Sequence, residues 1–320
     1  MTLENTVKKY RELFKSKPPV TTAHTEKGHF YINPGTEEKY HSVTYFTNFI
    51  KDPSLANWKM NRALDVVDKQ FVCLDGDKFI LHSPALRSWK EFLDYCKSAP
   101  EGEFQNAGDI GTQTHAWRQA YFQRWIDQGW ISLTDQEIDD WKFPVNADPE
   151  VISGCRAIKW FLKETGYIPV ACELPLVDDE LKVGGTIDDL GVFPNPIKVP
   201  LLKEGALYGE YTEQDAWMKD GYKIKYFPYL GFVDLKTSNQ GKKPAYAYQV
   251  RGFYQRMIRK TFGVKPKKTY ILHTSKDDGT YKLIDLTEMK HLQKDAEDLV
   301  RLSRSWDKVG EAFKPKQIVI

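Results

Sequence analysis

The sequence predicts an α/β protein: a mixed β-sheet core with helices packed on it, preceded by an N-terminal helical annex. Three observations carry this. Apolar residues recur at helical spacing through most of the chain before Gly166, strand-length apolar runs follow it, and a helical stretch from Ala245 to Lys260 interrupts those strands.

The opening segment through Gly35 is rich in Pro, Thr and Lys and reads as a short helix followed by an extended arm. From His41 to Lys69, Phe46, Phe49 and Ile50, then Leu55, Trp58, Leu64 and Val67, recur at near-helical spacing around Asp52-Pro53-Ser54, which predicts two helices. Ser83-Pro84 supplies an N-cap and an N1 proline for a further helix to Lys97. The half before Ala99 is therefore expected to be mainly helical. These boundaries give an arm at 1–40, a helical annex at 41–106 and a core at 107–320.

Within the core, Gly108 to His115 opens a helix that runs through Trp117, Tyr121, Phe122 and Trp125. Asp148-Pro149 starts another, with Val151, Ile152, Cys155, Ile158 and Leu162 on one face, and Gly166 ends it. Strands are expected at 168–176, 182–187, 190–193 and 229–236. Between the last two lies an insertion at about 194–228, with Tyr208, Tyr211, Trp217, Tyr222 and Tyr226 among charged residues; it is either a packed excursion or a substrate-side flap. In the helix at 245–260, Val250, Phe253, Met257 and Ile258 form the apolar stripe. Strands at 268–274 and 281–286 and a closing helix from Thr287 to Trp306 complete the chain.

At 320 residues, 41% hydrophobic and 28% charged, the chain can bury a full core. Its formal net charge of +2 excludes a bulk polycation, so nucleic-acid affinity would need a local basic groove. Cys73, Cys96, Cys155 and Cys172 show no Cys-x-x-Cys spacing, which argues against a zinc ribbon or an iron-sulfur cluster and for reduced thiols in an intracellular protein. No apolar run has the length of a membrane span, so no membrane association is expected. The amino terminus lacks the apolar core of a secretory signal, and Glu4 and Glu12 weigh against a mitochondrial presequence.

The chemistry concentrates in two segments, Gly185-Thr-Ile-Asp188 and Gly231-Phe-Val-Asp234-Leu-Lys236, each of which carries a carboxylate at the end of an apolar run. Other acid-x-Lys triplets exist, as at Glu37/Lys39 and Glu180/Lys182, but only Asp234/Lys236 ends a run without charge, Tyr229 to Val233. Two carboxylates on adjacent strands can share a hard divalent cation, and Lys236, two residues after Asp234, lies on the same strand face. That set suits phosphodiester hydrolysis. The metal lowers the pKa of water and neutralises phosphate charge, while the ammonium orients the water or stabilises the pentavalent oxyanion.

In this strand order the residues resemble the PD-(D/E)XK nucleases, and within them the RecB-type group. Gly111-Thr112-x-x-His115 resembles that group's Gly-Thr-x-x-His element, and Glu173 its first-strand glutamate. Gly185-x-x-Asp188 is similar to its Gly-x-x-Asp, and Asp234-Leu-Lys236 to its acid-x-Lys. Gln249 with Phe253 resembles the glutamine-to-aromatic helix motif, which usually ends in Tyr; here Tyr254 follows Phe253. Upstream, Ser42-Val43-Thr44 and Trp58 resemble elements of the branch that contains phage exonucleases and the mitochondrial genome maintenance exonuclease.

The resemblance implies a restriction-endonuclease-like core and a DNA exonuclease acting on single-stranded or frayed ends in recombination, repair or genome processing. RNA is not set aside as a substrate, and a structure-specific endonuclease or a non-catalytic nucleic-acid-binding protein remain the rivals. His115, Asp188, Asp234 and the carbonyl of Leu235 would hold Mg²⁺ or Mn²⁺, the imidazole favouring inclusion of Mn²⁺. Lys236 and Glu173 would position the attacking water. Asp189 competes with Asp188, since adjacent strand residues face opposite ways; the spacing from Gly185 selects Asp188. Ser42, Thr44, Trp58, Gln249 and Arg256 are the expected DNA contacts, with Arg251, Arg259, Lys260, Lys242 and Lys243 nearby either on phosphates or as a solvated face. A cytoplasmic protein of a bacterial or phage-infected cell is the implied setting, a mitochondrial one being less favoured.

Overall fold

The computed structural model describes residues 2–16, 20–25, 28–48, 50, 61, 71–74, 78–81, 89–194, 201–202, 211–212, 218–219, 222–223, 228–237 and 244–312. Two units divide the chain, Met1–Ile50 with Thr114–Ile320 and Lys51–Gln113.

Helix α1 (Leu3–Lys15) starts at Thr2, whose hydroxyl accepts the Asn5 N–H. Strands β1 (Thr21–Thr25), β2 (Gly28–Ile32) and β3 (Lys39–Ser42) lead into α2 (Val43–Thr47), capped by Ser42. In the smaller unit β4 (Phe71–Leu74) and β5 (Lys78–Leu81) pair antiparallel. Helices α3 (Trp89–Asp127), α4 (Asp135–Asp139) and α5 (Pro149–Thr165) follow. The long strands β6 (Ile168–Asp178) and β7 (Val183–Phe193) come next. Two-residue strands β8 (Leu201–Leu202), β9 (Tyr211–Thr212), β10 (Met218–Lys219) and β11 (Tyr222–Lys223) precede β12 (Tyr229–Lys236). One helical run contains α6 (Pro244–Ala247), a π-helical turn (Tyr248–Tyr254) and α7 (Gln255–Phe262). Strands β13 (Lys268–Thr274) and β14 (Tyr281–Asp285) and helix α8 (Leu292–Ala312) close the fold.

Among the described residues the main sheet has ten strands in the order β1-β2-β3-β7-β12-β13-β14-β8-β9, with β6 on the remaining side of β7. It is mixed: β6–β7 and β7–β12 run antiparallel, whereas β12–β13 run parallel across the α6–α7 connection. β7 and β12 lie at its centre, and Ile187, Leu190, Val192, Phe193, Phe232 and Leu235 are fully buried there. Each such side chain contributes about 2 kcal/mol of burial. α5 begins at Asp148-Pro149 and ends at Gly166 with φ 62°, as the sequence predicts. Its Gly154 lets α3 approach, because a Cβ there would stand 3.0 Å from Thr114 Cγ2.

Four expectations change. The arm before His41 contains three strands joined to the main sheet, since β3 pairs in parallel with the start of β7. Strands β4 and β5 stand in a stretch expected to be mainly helical. The helices expected at 83–97 and 108–125 form one run, α3. The strands expected at 182–187 and 190–193 are the single strand β7, because Asp188 and Asp189 are buried within the sheet and do not break it. Most of the predicted second helix of 41–69 and most of the insertion at 194–228 lie outside the described residues. Within that insertion β8 pairs with β14 and β9 with β8. Among the described residues no helix is long and apolar enough to cross a membrane.

Candidate metal centre

β6 occupies one edge of β7 along nearly its whole length, so the other edge is shared. There β3 pairs at Val183 and Gly184, and β12 pairs from Asp189 to Phe193. Among the described residues no strand pairs with the stretch between, Gly185 to Asp188, on that edge. Two glycines make the approach possible. A Cβ on Gly184 would lie 2.2 Å from Tyr31, and one on Gly185 would lie 2.4 Å from Tyr254 Cε1 and 3.1 Å from Val43 Cγ2.

Asp188 ends the gap. Its Oδ2 accepts the Leu235 N–H at 2.7 Å, just past the last paired residues of β7 and β12. Across on β6, Glu173 falls opposite it, between the pairs Cys172–Asp189 and Leu174–Ile187. Glu173 has φ +46°, the left-handed region, in the middle of a strand. For a residue with a Cβ that conformation costs about 1–3 kcal/mol and persists only where surrounding contacts hold it.

Those contacts come from α3. His115 and Arg118 are three apart on one helical face. His115 Nδ1 lies 3.7 Å from Glu173 Oε1 and 3.8 Å from Asp188 Oδ2. Arg118 is fully buried: its Nη2 donates to Glu173 Oε1 at 2.5 Å, and its Nη1 lies 3.1 Å from Asp189 and 3.6 Å from Asp188. His115, Glu173 and Asp188 can each offer one ligand atom, all within 4.8 Å of one another. Their side chains remain 27%, 23% and 11% exposed, so an ion has access from solvent.

Asp234 and Lys236 adjoin this group. Lys236 Nζ stands 2.5 Å from Asp234 Oδ2 and 5.2 Å from the Tyr246 ring centre. The pair is buried on the Asp234 side, where the residue is 1% exposed. A buried carboxylate with one contacting cation among the described residues, beside three possible ligands, fits a site that takes further positive charge.

The electrostatics agree. Burial pushes the Asp234 carboxyl up, Lys236 draws it down and Asp188 raises it again, leaving it at about 6. Burial also raises Asp189 well above the aspartate range, with Arg118 opposing and Asp188, Glu173 and Asp234 adding to the rise. For Asp188 burial acts in the same direction, but His115, Arg118, Lys236 and the Leu235 N–H outweigh it and hold its pKa low. Burial lowers Lys236, yet Asp234 and Asp188 more than reverse this and keep it protonated.

Several expected roles change. Among the anticipated ligands, His115 and Asp188 come together, but Glu173 joins them in place of Asp234, whose Oδ2 is turned to Lys236. Leu235, whose carbonyl is the expected further ligand, is placed beside the group, with its N–H donating to Asp188. Arg256 is not available for phosphates: it is buried, Nε donates to Asp178 at 2.6 Å, Nη2 to Glu180 at 2.8 Å and Nη1 to Glu297. Gln249 is buried and donates from Nε2 to Thr47 Oγ1 at 3.1 Å. Ser42 is buried as the cap of α2, 2.6 Å from the hydroxyl of Thr44, which is exposed. Trp58, Lys242 and Lys243 lie outside the described residues, and Thr112 Oγ1 donates to the Gly108 carbonyl at 3.0 Å.

A π-helical turn carries Gln249 and the two aromatics Phe253 and Tyr254. The Gln255 N–H donates to the Val250 carbonyl, five residues back. A π turn advances each residue by less than an α turn, so Tyr254 comes round to the sheet. Its ring packs against Gly185 and 6.3 Å from Phe232, while Phe253 stacks on Phe46. Burial raises the Tyr254 hydroxyl pKa well above its usual value, and Asp234, Tyr31, Asp188 and Glu173 add to the rise.

Arg118 is the residue sequence reasoning missed. The signal present was its i+3 spacing from His115, which puts both on one helix face. No family model matches this chain, and no curated protein matches it.

Proposed function

We propose that this protein is a divalent-cation-dependent DNA nuclease of the PD-(D/E)XK, RecB-type kind, with a restriction-endonuclease-like core. The observation that carries the reading is the convergence of His115, Glu173 and Asp188 within 4.8 Å, with the Asp234–Lys236 pair beside them. The order α5, β6, β7, β12, α6–α7, β13 is the arrangement expected of such a core.

His115, Glu173 and Asp188 would hold Mg²⁺ or Mn²⁺, a mixed nitrogen and oxygen set that suits either. The ion would supply Lewis acidity at the scissile phosphate and lower the pKa of water. The protein's own groups do the rest. The Leu235 N–H fixes the Asp188 carboxylate, and Arg118 fixes that of Glu173. Asp234 keeps the Lys236 ammonium protonated and in place, where it can orient the attacking water and offset charge on the pentavalent phosphorane. Action on free single-stranded ends rests on the sequence resemblance alone.

The test is Mn²⁺-dependent degradation of end-labelled linear single-stranded DNA against a circular single-stranded control, with EDTA and Lys236→Ala lanes. Loss of the linear DNA only, abolished in both control lanes, supports an exonuclease at this site. Cutting of the circle makes it an endonuclease, and no metal-dependent cleavage of either overturns the assignment for DNA.

A further inference from the structure

Glu173, Asp188, Asp189 and Asp234 put four carboxylates in one buried neighbourhood at the centre of the sheet. Among the described residues two fixed cations face them, Arg118 and Lys236. Lys236 serves one side through Asp234. Arg118 serves the other: it is wholly buried and in reach of Glu173, Asp189 and Asp188 at 2.5, 3.1 and 3.6 Å.

We propose that the Arg118 guanidinium serves this site as a built-in second cation, so that it takes one divalent ion and not two. The inference rests on the nuclease reading of the same residues and specifies its metal stoichiometry. Three features support it. The guanidinium's Nη1 alone lies within 4 Å of carboxylate oxygens of both Asp188 and Asp189. It lies on the same helix face as His115, so the helix that offers a ligand also brings the charge. It also draws in Glu173 from a left-handed backbone conformation, which commits that carboxylate to Arg118 and to the His115 side of the site. A second ion among these acids would face a fixed positive charge within 4 Å of three of them.

Arg118 is therefore a positioning and charge-setting residue; it need not touch substrate. The test is Mn²⁺ binding to the full-length protein without DNA, read from the loss of the free-ion paramagnetic resonance signal. Wild type is expected to bind one Mn²⁺ per chain. Arg118→Met, shown to be folded by circular dichroism, is expected to bind two. Arg118→Gln, which is neutral and keeps a hydrogen-bond donor for Glu173, is likewise expected to bind two.

Two ions in wild type, or one ion at unchanged affinity in Arg118→Met, would overturn the inference while leaving the nuclease reading intact. If Arg118→Met does not fold, Arg118→Gln decides, and one ion at unchanged affinity there overturns the inference. No Mn²⁺ bound by wild type removes the metal centre and this inference with it.

Discussion

The Asp188 carboxylate accepts the backbone N–H of Leu235 at 2.7 Å where their strands have just ceased to pair. That bond ties the end of the gap on β7 to the residue between Asp234 and Lys236. A side chain substitutes for a ladder carbonyl, so the sheet can part without leaving a buried donor unsatisfied. The parted edge is where the ligand group and the Asp234–Lys236 pair meet.

Gly185 admits the Tyr254 ring, which comes so close that a Cβ would stand 2.4 Å from it. Gly185→Ala is expected to destabilise the protein by about 1–3 kcal/mol through overpacking, measured by urea denaturation. An unchanged midpoint would mean that Tyr254 moves away at no cost.

Arg256 is a structural ion-pair residue. Its removal leaves Asp178, 2% exposed, without its guanidinium partner. Arg256→Ala is expected to lose roughly 3–5 kcal/mol of stability, while the affinity of the folded protein for single-stranded DNA stays unchanged. A fall in DNA affinity at constant stability would return Arg256 to the phosphate-binding set.

Asp234 makes the ion-free protein pH-sensitive. Its pKa rises from 3.8 to about 6 on folding, so between these values the folded state holds a proton that the unfolded state has released. Stability from this group is therefore full below pH 4, falls as pH rises to about 6 and then levels off. The span is at most about 3 kcal/mol. Chemical denaturation in EDTA from pH 4 to 7 should show this fall in wild type and a smaller one in Asp234→Asn; identical slopes would contradict it.

Glu173 is assigned a ligand role here. Glu173→Gln keeps its shape and is expected to weaken Mn²⁺ binding at least about tenfold, with the α/β circular dichroism spectrum retained. Unchanged Mn²⁺ affinity would limit Glu173 to pairing with Arg118.

The α5–β6–β7–β12–α6–α7–β13 order was legible, apart from the break expected in β7 at Asp188-Asp189, because these elements have a clear period or cap, such as Asp148-Pro149 and Gly166 on α5. Asp188, Asp234 and Lys236 were legible for a related reason: charges at the ends of uncharged apolar runs stand out. Strands β1 to β3 were not, because Thr21-Thr-Ala-His-Thr25 is polar and gains its strand character only by pairing. The placement of Glu173 depends on a positive φ that its residue type does not announce. Arg118 looks like any helical arginine until the strands close over it. The π turn that brings in Tyr254 depends on packing too, including the close approach of Leu292 to Gly252.

The most direct test of the central claim is anomalous X-ray diffraction from crystals soaked in Mn²⁺. A single anomalous peak bounded by His115, Glu173 and Asp188, lost in Asp188→Asn, is the result predicted here. Ordered Mn²⁺ elsewhere on the protein with none between those three side chains would contradict it.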